Sequence, residues 1–475
     1  MVNYNLLSAL LSLPVVGIFL SWIMPKTSQR IYAIFGSLVI LAVSIYIALQ
    51  AGDTPWDVKL VWLPELGLSL NLKWDSVSRW FVILNSLVAV LAFSLRGPWY
   101  RKNSRLFTAL GFFLMFALNA AFLSNDVILF YLAYEAVFIP MIFMVGIWGS
   151  NAKATSVFRF FLMSFFGSVL MLVSMFALIY LFKEQSGQYS SSLPDLIQAA
   201  SVKNGQALHW CFLGFFLAFA IKVPVFPFHG WLKEVYVNAP MPATLWMSAI
   251  LSKLGVFGFL RFVLPIFPGL ALENQGWILA LSAVSILYAA FLAIRANSPK
   301  ELLAYSSISH LGFVMLGVFS LSSGGASSAI LLSIGHTLVS AMLFYGLHLV
   351  EERKDVSDLS VSHGLARVYP VLFTFMFIAV LGAVALPGTM NFVGEFLSLL
   401  HAFSASVPSV VVGALGVVLG AVYMLKFYQQ LGFGEASGDQ TVKDLGVYDI
   451  AVLSVLVLIL IYFGFQPMLL LKGNG

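Results

Sequence analysis

Two acids and two lysines lie within segments that are otherwise apolar. They are Glu135 in "YLAYEAVFIPMIFMVGIWG", Lys222 in "CFLGFFLAFAIKVPVFPFHGWL", Lys253 in "LWMSAILSKLGVFGFLRF" and Glu395 in "NFVGEFLSLL". A charge at the bilayer centre costs roughly 2.5 kcal/mol or more, so such groups face the protein interior, pair, or line hydrated cavities. Burial disfavours a charged lysine, and a nearby carboxylate favours it. The acids can therefore control whether the lysines hold a proton, which favours a proton carrier; the alternative is a static pair that fixes helix register.

Two histidines in apolar segments add groups that can pass a proton on. "ELLAYSSISHLGFVML" places Ser306 and His310 four residues apart, and "LLSIGHTLVSAMLFYG" does the same for His336 and Ser340. Residues at this spacing share one face of a helix. Histidine titrates near neutral pH and both donates and accepts hydrogen bonds. The pattern favours a relay, with structural hydrogen bonding as the alternative.

Prolines interrupt two of the apolar segments, and each of these segments carries an ionisable group. Pro224 and Pro227 interrupt the seventh segment, and Pro387 interrupts the twelfth, within "ALPGTMNFVGEF". Broken helices at corresponding positions are typical of transporters, where they line a site near the membrane midplane. The alternative is that the prolines only kink packed helices. His229 follows the first interruption and is expected to be a gate or an interfacial cap.

The elements that position these groups are predicted to be membrane helices. Of 475 residues, 60% are hydrophobic and 9% are charged, and the mean hydropathy is +0.96. Such a composition excludes a soluble globular domain and predicts an all-α polytopic membrane protein. With about 20 apolar residues per span, the chain divides into about fourteen segments within one membrane domain, residues 1–475. The segments are expected to start near Leu6, Ile31, Trp80, Phe107, Val127, Phe158, Trp210, Met241, Trp277, Leu302, Ala329, Tyr369, Ser409 and Tyr448.

The basic residues predict the orientation of the chain. Most of them, such as Lys26, Arg101 and Arg295, fall in one set of loops, which is therefore expected to be cytoplasmic, with both termini on the other side. Because they are spread over short loops, a nucleic-acid partner is not expected. Arg261 and Lys426 lie in predicted segments where their stems are expected to snorkel towards the interface.

No redox or metal motif is present in the sequence. The single cysteine, Cys211, excludes an intramolecular disulfide and a cysteine-ligated cluster. Histidines and acids do not show metal-ligand spacing, and dinucleotide-binding, P-loop and haem signatures are absent. We expect no metal, cofactor or redox centre in this chain.

Five stretches together resemble a known family. They are "AYEAVFIPM", "AIKVPVFPFHGWL", "NAPMPATLWMSAILSKLGVFGFLRF", "LLAYSSISHLGFVMLG" and "LPGTMNFVGEF". In this order they resemble the antiporter-like subunits of respiratory complex I, and most of all the subunit M family of NADH-quinone oxidoreductase. The resemblance covers nearly the whole chain. It implies fourteen transmembrane helices with two inverted five-helix repeats, here about 106–265 and 276–432, and broken helices 7 and 12.

The resemblance also implies roles for the embedded residues. Its proton-translocation positions correspond here to Glu135, Lys222, Lys253, His310, His336 and Glu395. A proton is expected to enter from the cytoplasm towards Lys222 and to leave by way of Glu395. An acid at this last position points to subunit M, because related subunits typically have lysine there. Possible gating or polar-axis support is assigned to Pro224, His229, Ser306, Ser340, Pro387 and Lys426.

The implied function is proton pumping coupled to NADH:quinone electron transfer. The expected partners are neighbouring antiporter-like subunits of the L and N type and the lipid bilayer, and the expected location is the cell inner (plasma) membrane. One alternative is a cation/proton antiporter subunit of an Mrp-type exchanger or of a membrane-bound hydrogenase. Another is a purely structural membrane scaffold.

Three residues depart from the family pattern. In "WLKEVYVNAP", Tyr236 and Asn238 stand where the family commonly has histidine and glutamate. Gln430 takes the place of an arginine, with Lys426 one turn earlier. We expect the loop before the eighth helix to be connected differently, and Lys426 to supply the missing charge.

Overall fold

Helices make up most of the described chain. The computed structural model describes residues 2–63, 67–150, 153–202, 205–354, 356–359, 361–435 and 444–471. Within these ranges, eleven helices are long and apolar enough to cross a membrane. They span Leu6–Ile23, Lys26–Ala51, Ser104–Leu123, Val127–Trp148, Lys153–Ser186, Met241–Ile266, Gln275–Ile294, Pro299–Phe319, Gly325–Glu351, Val407–Gly432 and Val447–Phe465. The architecture confirms the prediction of an all-α polytopic membrane protein.

Shorter helices complete the set of apolar segments. Three apolar helices of 10–17 residues are Ser78–Ser94, Gln206–Lys222 and Pro370–Ala383. Further helices span Leu193–Val202, Leu232–Asn238, Pro268–Glu273, Met390–Phe403 and Met468–Leu471. Each segment predicted from the sequence therefore has a helical counterpart in the described part of the chain.

Both predicted helix breaks are present. The seventh segment is helical up to Lys222, and helix resumes at Leu232. The twelfth ends at Ala383 and resumes at Met390, with Gly388 at φ +97°, a conformation that favours glycine. Proline lacks the N–H needed to continue a helix, which explains why the interruptions fall where they do. The inverted relation of the two repeats stays a prediction.

The chain forms two compact units. The first contains Met1–Val223, Asn238–Trp246 and Ile250–Asn274, and the second contains Pro224–Val237, Met247–Ala249 and Gln275–Gly475. Each unit carries part of the predicted site, and each is described by itself below.

A β-hairpin in the first unit was not predicted. Strands Trp56–Leu63 and Leu68–Trp74 pair antiparallel, with Trp56 opposite Trp74 and an irregularity between Val61 and Leu63. The alternation of polar and apolar residues in "WDVKLVWL" was the available signal for a strand.

An ion pair ties the end of this hairpin to the eighth transmembrane segment. Nη1 and Nη2 of Arg261 donate to the two carboxylate oxygens of Asp75 at 2.6 and 2.7 Å. Arg261 is only 7% exposed, so its guanidinium is held by this ion pair and not by open solvent, and snorkelling towards the interface stays a prediction. Burial acts to raise the pKa of Asp75, but the Arg261 guanidinium, the Ser78 amide and Lys73 outweigh it and lower the pKa from 3.8 to about 2.

Asp75→Asn is expected to destabilise the folded chain by about 3–5 kcal/mol, because it leaves Arg261 buried without an opposite charge. The folded pKa of Asp75 lies below the unfolded value, so the contribution is complete above pH 3.8 and is lost as the pH falls towards 2. Thermal unfolding in detergent at neutral pH measures the effect. The control is Asp53→Asn, since Asp53 is 62% exposed beside Arg79 and should contribute less than about 1 kcal/mol. Equal destabilisation by both changes would contradict this interpretation.

Two helices form the centre of the second unit. The Pro299–Phe319 and Gly325–Glu351 helices are almost entirely buried. Pro299 occupies the first turn of its helix, and the Ser298 hydroxyl caps that helix by accepting a hydrogen bond from the Glu301 amide at 3.3 Å. The Met390–Phe403 helix packs on the Gly325–Glu351 helix. His310, His336 and Glu395 lie on these three helices.

Candidate functional site

Lys222 is completely buried in the first unit, at the end of the Gln206–Lys222 helix. Its Nζ atom lies 3.9 Å from the centre of the Phe138 ring and 4.8 Å from that of Tyr134. Nζ has no hydrogen-bond partner among the described residues. Cation–π contacts of a desolvated lysine are worth about 2 kcal/mol, much less than the hydration that the charge gives up. The protonation of this lysine therefore depends on charges near it.

Glu135 supplies such a charge. It lies on the Val127–Ala136 helix, which begins where the Asp126 carboxylate accepts hydrogen bonds from the Ile128 and Leu129 amides at 2.9 and 3.0 Å. Glu135 interacts electrostatically with Lys222 and lies near the Ser168 hydroxyl. Its Oε1 atom is buried without a hydrogen-bond partner in the described chain. The acid and the lysine thus interact through space and not through a hydrogen bond.

Lys253 is also completely buried, on the Ser252–Gly258 helix of the first unit. This helix packs on the Gln206–Lys222 helix. Gly255 permits the close approach, because a Cβ atom there would lie 2.9 Å from the Phe219 carbonyl oxygen. One turn on either side of the Ser252–Gly258 helix is π-helical, a feature often found at functional sites. No residue pattern in the sequence predicts these π-helical turns.

The second unit brings three predicted residues together. Nδ1 of His310 lies 2.8 Å from Oε1 of Glu395, and both side chains are less than a tenth exposed. The ring centres of His310 and His336 are 5.6 Å apart. The Ser340 hydroxyl lies 3.4 Å from the His336 ring nitrogens. The Ser306 hydroxyl is not part of this group, because it donates to the Leu303 carbonyl of its own helix at 2.9 Å.

The residues assigned to gating or support lie elsewhere. Pro224 and Pro387 stand in the helix breaks. The His229 ring packs on the ring of Tyr288, with centres 5.2 Å apart. Lys426 Nζ donates to the Ile294 carbonyl at 2.7 Å, at the C-terminal end of a helix, where a positive charge is favourable. Gating by these residues stays a prediction.

The three departures from the family pattern make neutral contacts. Asn238 accepts a hydrogen bond from Ser150 and donates to the Ser156 hydroxyl at 2.9 Å. The ring of Tyr236 packs edge-on against an aromatic ring of the second unit, and the Gln430 side chain accepts from a serine hydroxyl at 3.2 Å. The contacts of these three side chains are therefore with uncharged groups. The residues that the family commonly has at these positions are charged or titratable.

Sequence reasoning missed three residues beside the charges. Tyr134 contacts Lys222, as described above. Tyr423 is buried, lies near Ser309 and is close enough to Glu395 to interact with its charge. Asn391 is completely buried on the same helix as Glu395. The spacing of four residues between Asn391 and Glu395 was a usable signal, whereas Tyr423 lies on another helix and had none.

Comparison with known proteins gives consistent matches. The family model described as "NADH:quinone oxidoreductase/Mrp antiporter, TM" matches residues 124–421. NADH-quinone oxidoreductase subunit M of Rickettsia felis (strain ATCC VR-1525 / URRWXCal2) is 35% identical over 455 residues, which cover 93% of this chain and 90% of that protein.

Solved structures agree with this match. A chain of respiratory complex I from Thermus thermophilus with bound NADH has a TM-score of 0.89 and 31% identity, and the match covers 98% of this chain and 97% of that one. A chain of the Mrp complex from Dietzia sp. DQ12-45-1b has a TM-score of 0.83 at 19% identity, covering 99% and 96%, which shows a shared fold. The chain therefore belongs to the antiporter-like transmembrane family of NADH:quinone oxidoreductase and Mrp antiporters, within the group of NADH-quinone oxidoreductase subunit M.

Proposed function

We propose that this chain is a proton-translocating membrane subunit of respiratory complex I, which couples NADH:quinone electron transfer to proton pumping. The observation that carries the proposal is the burial of Lys222, Lys253 and the His310–Glu395 pair on the helices of a polytopic membrane protein. Charges are costly in a bilayer, so embedded ionisable residues mark proton and ion pathways. The relatives named above support the assignment to complex I.

In the first unit, Glu135 controls the proton held by Lys222. A lysine removed from water binds its proton more tightly when a carboxylate nearby is charged and less tightly when it is neutral. Glu135 acts on Lys222 without a hydrogen bond that would lock the pair. A change in the charge or position of Glu135 therefore releases the proton, which Lys253 then receives.

In the second unit, the proton passes through an imidazole ring. His310 takes a proton at Nε2 and gives one from Nδ1 to Glu395, whose Oε1 atom is 2.8 Å away. The His336 ring lies beside that of His310, with centres 5.6 Å apart, and precedes it in the proposed route. Glu395 then releases the proton on the exit side.

The partners and location follow from this assignment. Neighbouring subunits of the L and N type flank the chain in the cell inner (plasma) membrane, with both termini on the non-cytoplasmic side. The redox groups reside in other subunits of the complex. A change in the redox state of those subunits alters the charge or the position of Glu135, either by electrostatics or through a conformational change.

Lys253→Ala tests the proposal in the complex purified through this chain. Quinone-reducing subunits are expected to co-purify, electron transfer is expected to persist, and the number of protons pumped per electron is expected to fall. The matched control is Lys300→Ala, because Lys300 pairs with Glu351 at 3.4 Å outside the predicted route and its loss should leave the ratio intact. An unchanged ratio after Lys253→Ala would remove this lysine from the route. Co-purification with subunits of an Mrp-type exchanger would assign the alternative function.

A further inference from the structure

Asn391 is a buried amide without hydrogen bonds. Its side chain is 0% exposed, and neither Oδ1 nor Nδ2 has a partner among the described residues. Buried polar groups in folded proteins are almost always satisfied, by protein or by ordered water. An amide left without protein partners therefore indicates a hydration site, provided that other polar atoms converge there.

The position of Asn391 places its amide among the groups of the second-unit relay. It precedes Glu395 by one helical turn on the same face of the Met390–Phe403 helix. Its Oδ1 atom lies 2.2 Å from where a Cβ atom of residue 335 would be, so Gly335 is what makes room for the amide. Gly335 is the neighbour of His336 in the chain.

A second unsatisfied atom belongs to His310, the hydrogen-bond partner of Glu395. His310 uses Nδ1 for Glu395, but its Nε2 atom is buried without a partner in the described chain. The ring of His310 lies beside that of His336. Water needs two to four polar partners to be held in a protein interior, and the Asn391 amide, His310 Nε2 and the His336 ring can supply them.

We propose that Asn391 is a positioning residue that holds ordered water between His336 and His310, and that Gly335 is required to admit its amide. The water gives a proton to His310 Nε2 while the Nδ1 proton of His310 passes to Glu395 Oε1. The water then regains a proton from protonated His336, so that one proton has moved from His336 to Glu395. His310 is left with its proton on Nε2 instead of Nδ1 and must exchange tautomers before the next transfer, and His336 must be reprotonated. This inference rests on the proposed function and adds a residue to it.

Two substitutions at Asn391 distinguish water binding from packing. Leucine has the same branched skeleton but no polar atoms, so N391L excludes the water. Alanine leaves space in which a second water replaces the amide, so N391A retains more transfer. In the assembled complex in proteoliposomes, N391L is expected to slow proton transfer at least about tenfold, since small displacements of a proton-transfer chain are costly. N391A is expected to transfer protons faster than N391L and to retain roughly half or more of the wild-type proton-to-electron ratio. If Asn391 only fills space, the order reverses and N391A is the worse variant.

Gly335→Ala gives an independent test should N391L fail to assemble. The added methyl group displaces the amide, so G335A is expected to lower the ratio, and G335A/N391A is expected to recover it because the obstacle is gone. A double variant worse than G335A alone would overturn the proposal.

The Glu395→Gln enzyme separates failure of this inference from failure of the proposed function. If it loses pumping while N391L and G335A pump normally and with an unchanged pH profile, Asn391 has no such role and the proposed function stands. If the Glu395→Gln enzyme pumps normally, the proposed function itself is wrong.

Discussion

Replacing Lys222 by alanine is expected to leave the complex assembled and reducing quinone, but to slow proton transfer through this subunit at least about 100-fold. Lys222 is the fully buried group on which Glu135 acts in the first unit. Alanine cannot hold a proton. Residue 222 then has no proton whose release the charge of Glu135 could control. Proton uptake into proteoliposomes, measured per electron transferred, reports the loss.

Neighbouring substitutions show whether the effect comes from the charge. Tyr134→Phe keeps the ring beside Lys222 and removes only a hydroxyl that donates to the Ala218 carbonyl at 3.3 Å, so it should pump nearly normally. Glu135→Gln should reproduce much of the Lys222→Ala defect, since it removes the controlling charge and keeps the side-chain size. An assembled Lys222→Ala enzyme that pumps fully would exclude Lys222 from the route.

Glu395→Gln is expected to have the second large effect. Glutamine still accepts a hydrogen bond from His310, but it cannot take the proton, so transfer stops after the imidazole. We expect a loss of similar size, at least about 100-fold, with electron transfer retained. The proton-to-electron ratio measured across a range of pH reports it.

Glu301→Gln is the matched control for Glu395→Gln. Glu301 lies on the same helix as His310, but it pairs with Lys233 at 2.9 Å, away from the relay. Its replacement should affect stability and leave the ratio intact. If both glutamines lower the ratio equally, the effect of Glu395→Gln reports disturbed packing and not a lost proton acceptor.

The sequence was sufficient to locate most of the helices and the embedded charges. A lone charge such as Glu135 or Lys222 stands out because almost every neighbour in its segment is apolar, and Pro387 marks a break because proline cannot continue a helix. These signals are local, and the structure confirms both the helical segments and the breaks.

Features that depend on distant parts of the chain could not be read in this way. Asp75 and Arg261 are 186 residues apart, and nothing local to either predicts their ion pair. His310 and Glu395 were each identified, but their direct contact spans 85 residues of sequence. Ser306 was expected beside His310, yet a serine in a helix readily bonds to a carbonyl of the preceding turn. Local spacing thus identified the groups and not their partners.

We propose that the ionisable residues buried in each unit hand protons along one route. The most direct test is the proton-to-electron ratio of an assembled enzyme that carries Lys222→Ala and Glu395→Gln together, compared with each single variant. Groups acting in series are not additive, so the double variant is expected to lose no more of the ratio than the more impaired single variant. A ratio that falls by the sum of two independent partial losses would contradict a single route, and full pumping by the double variant would refute the role of these residues altogether.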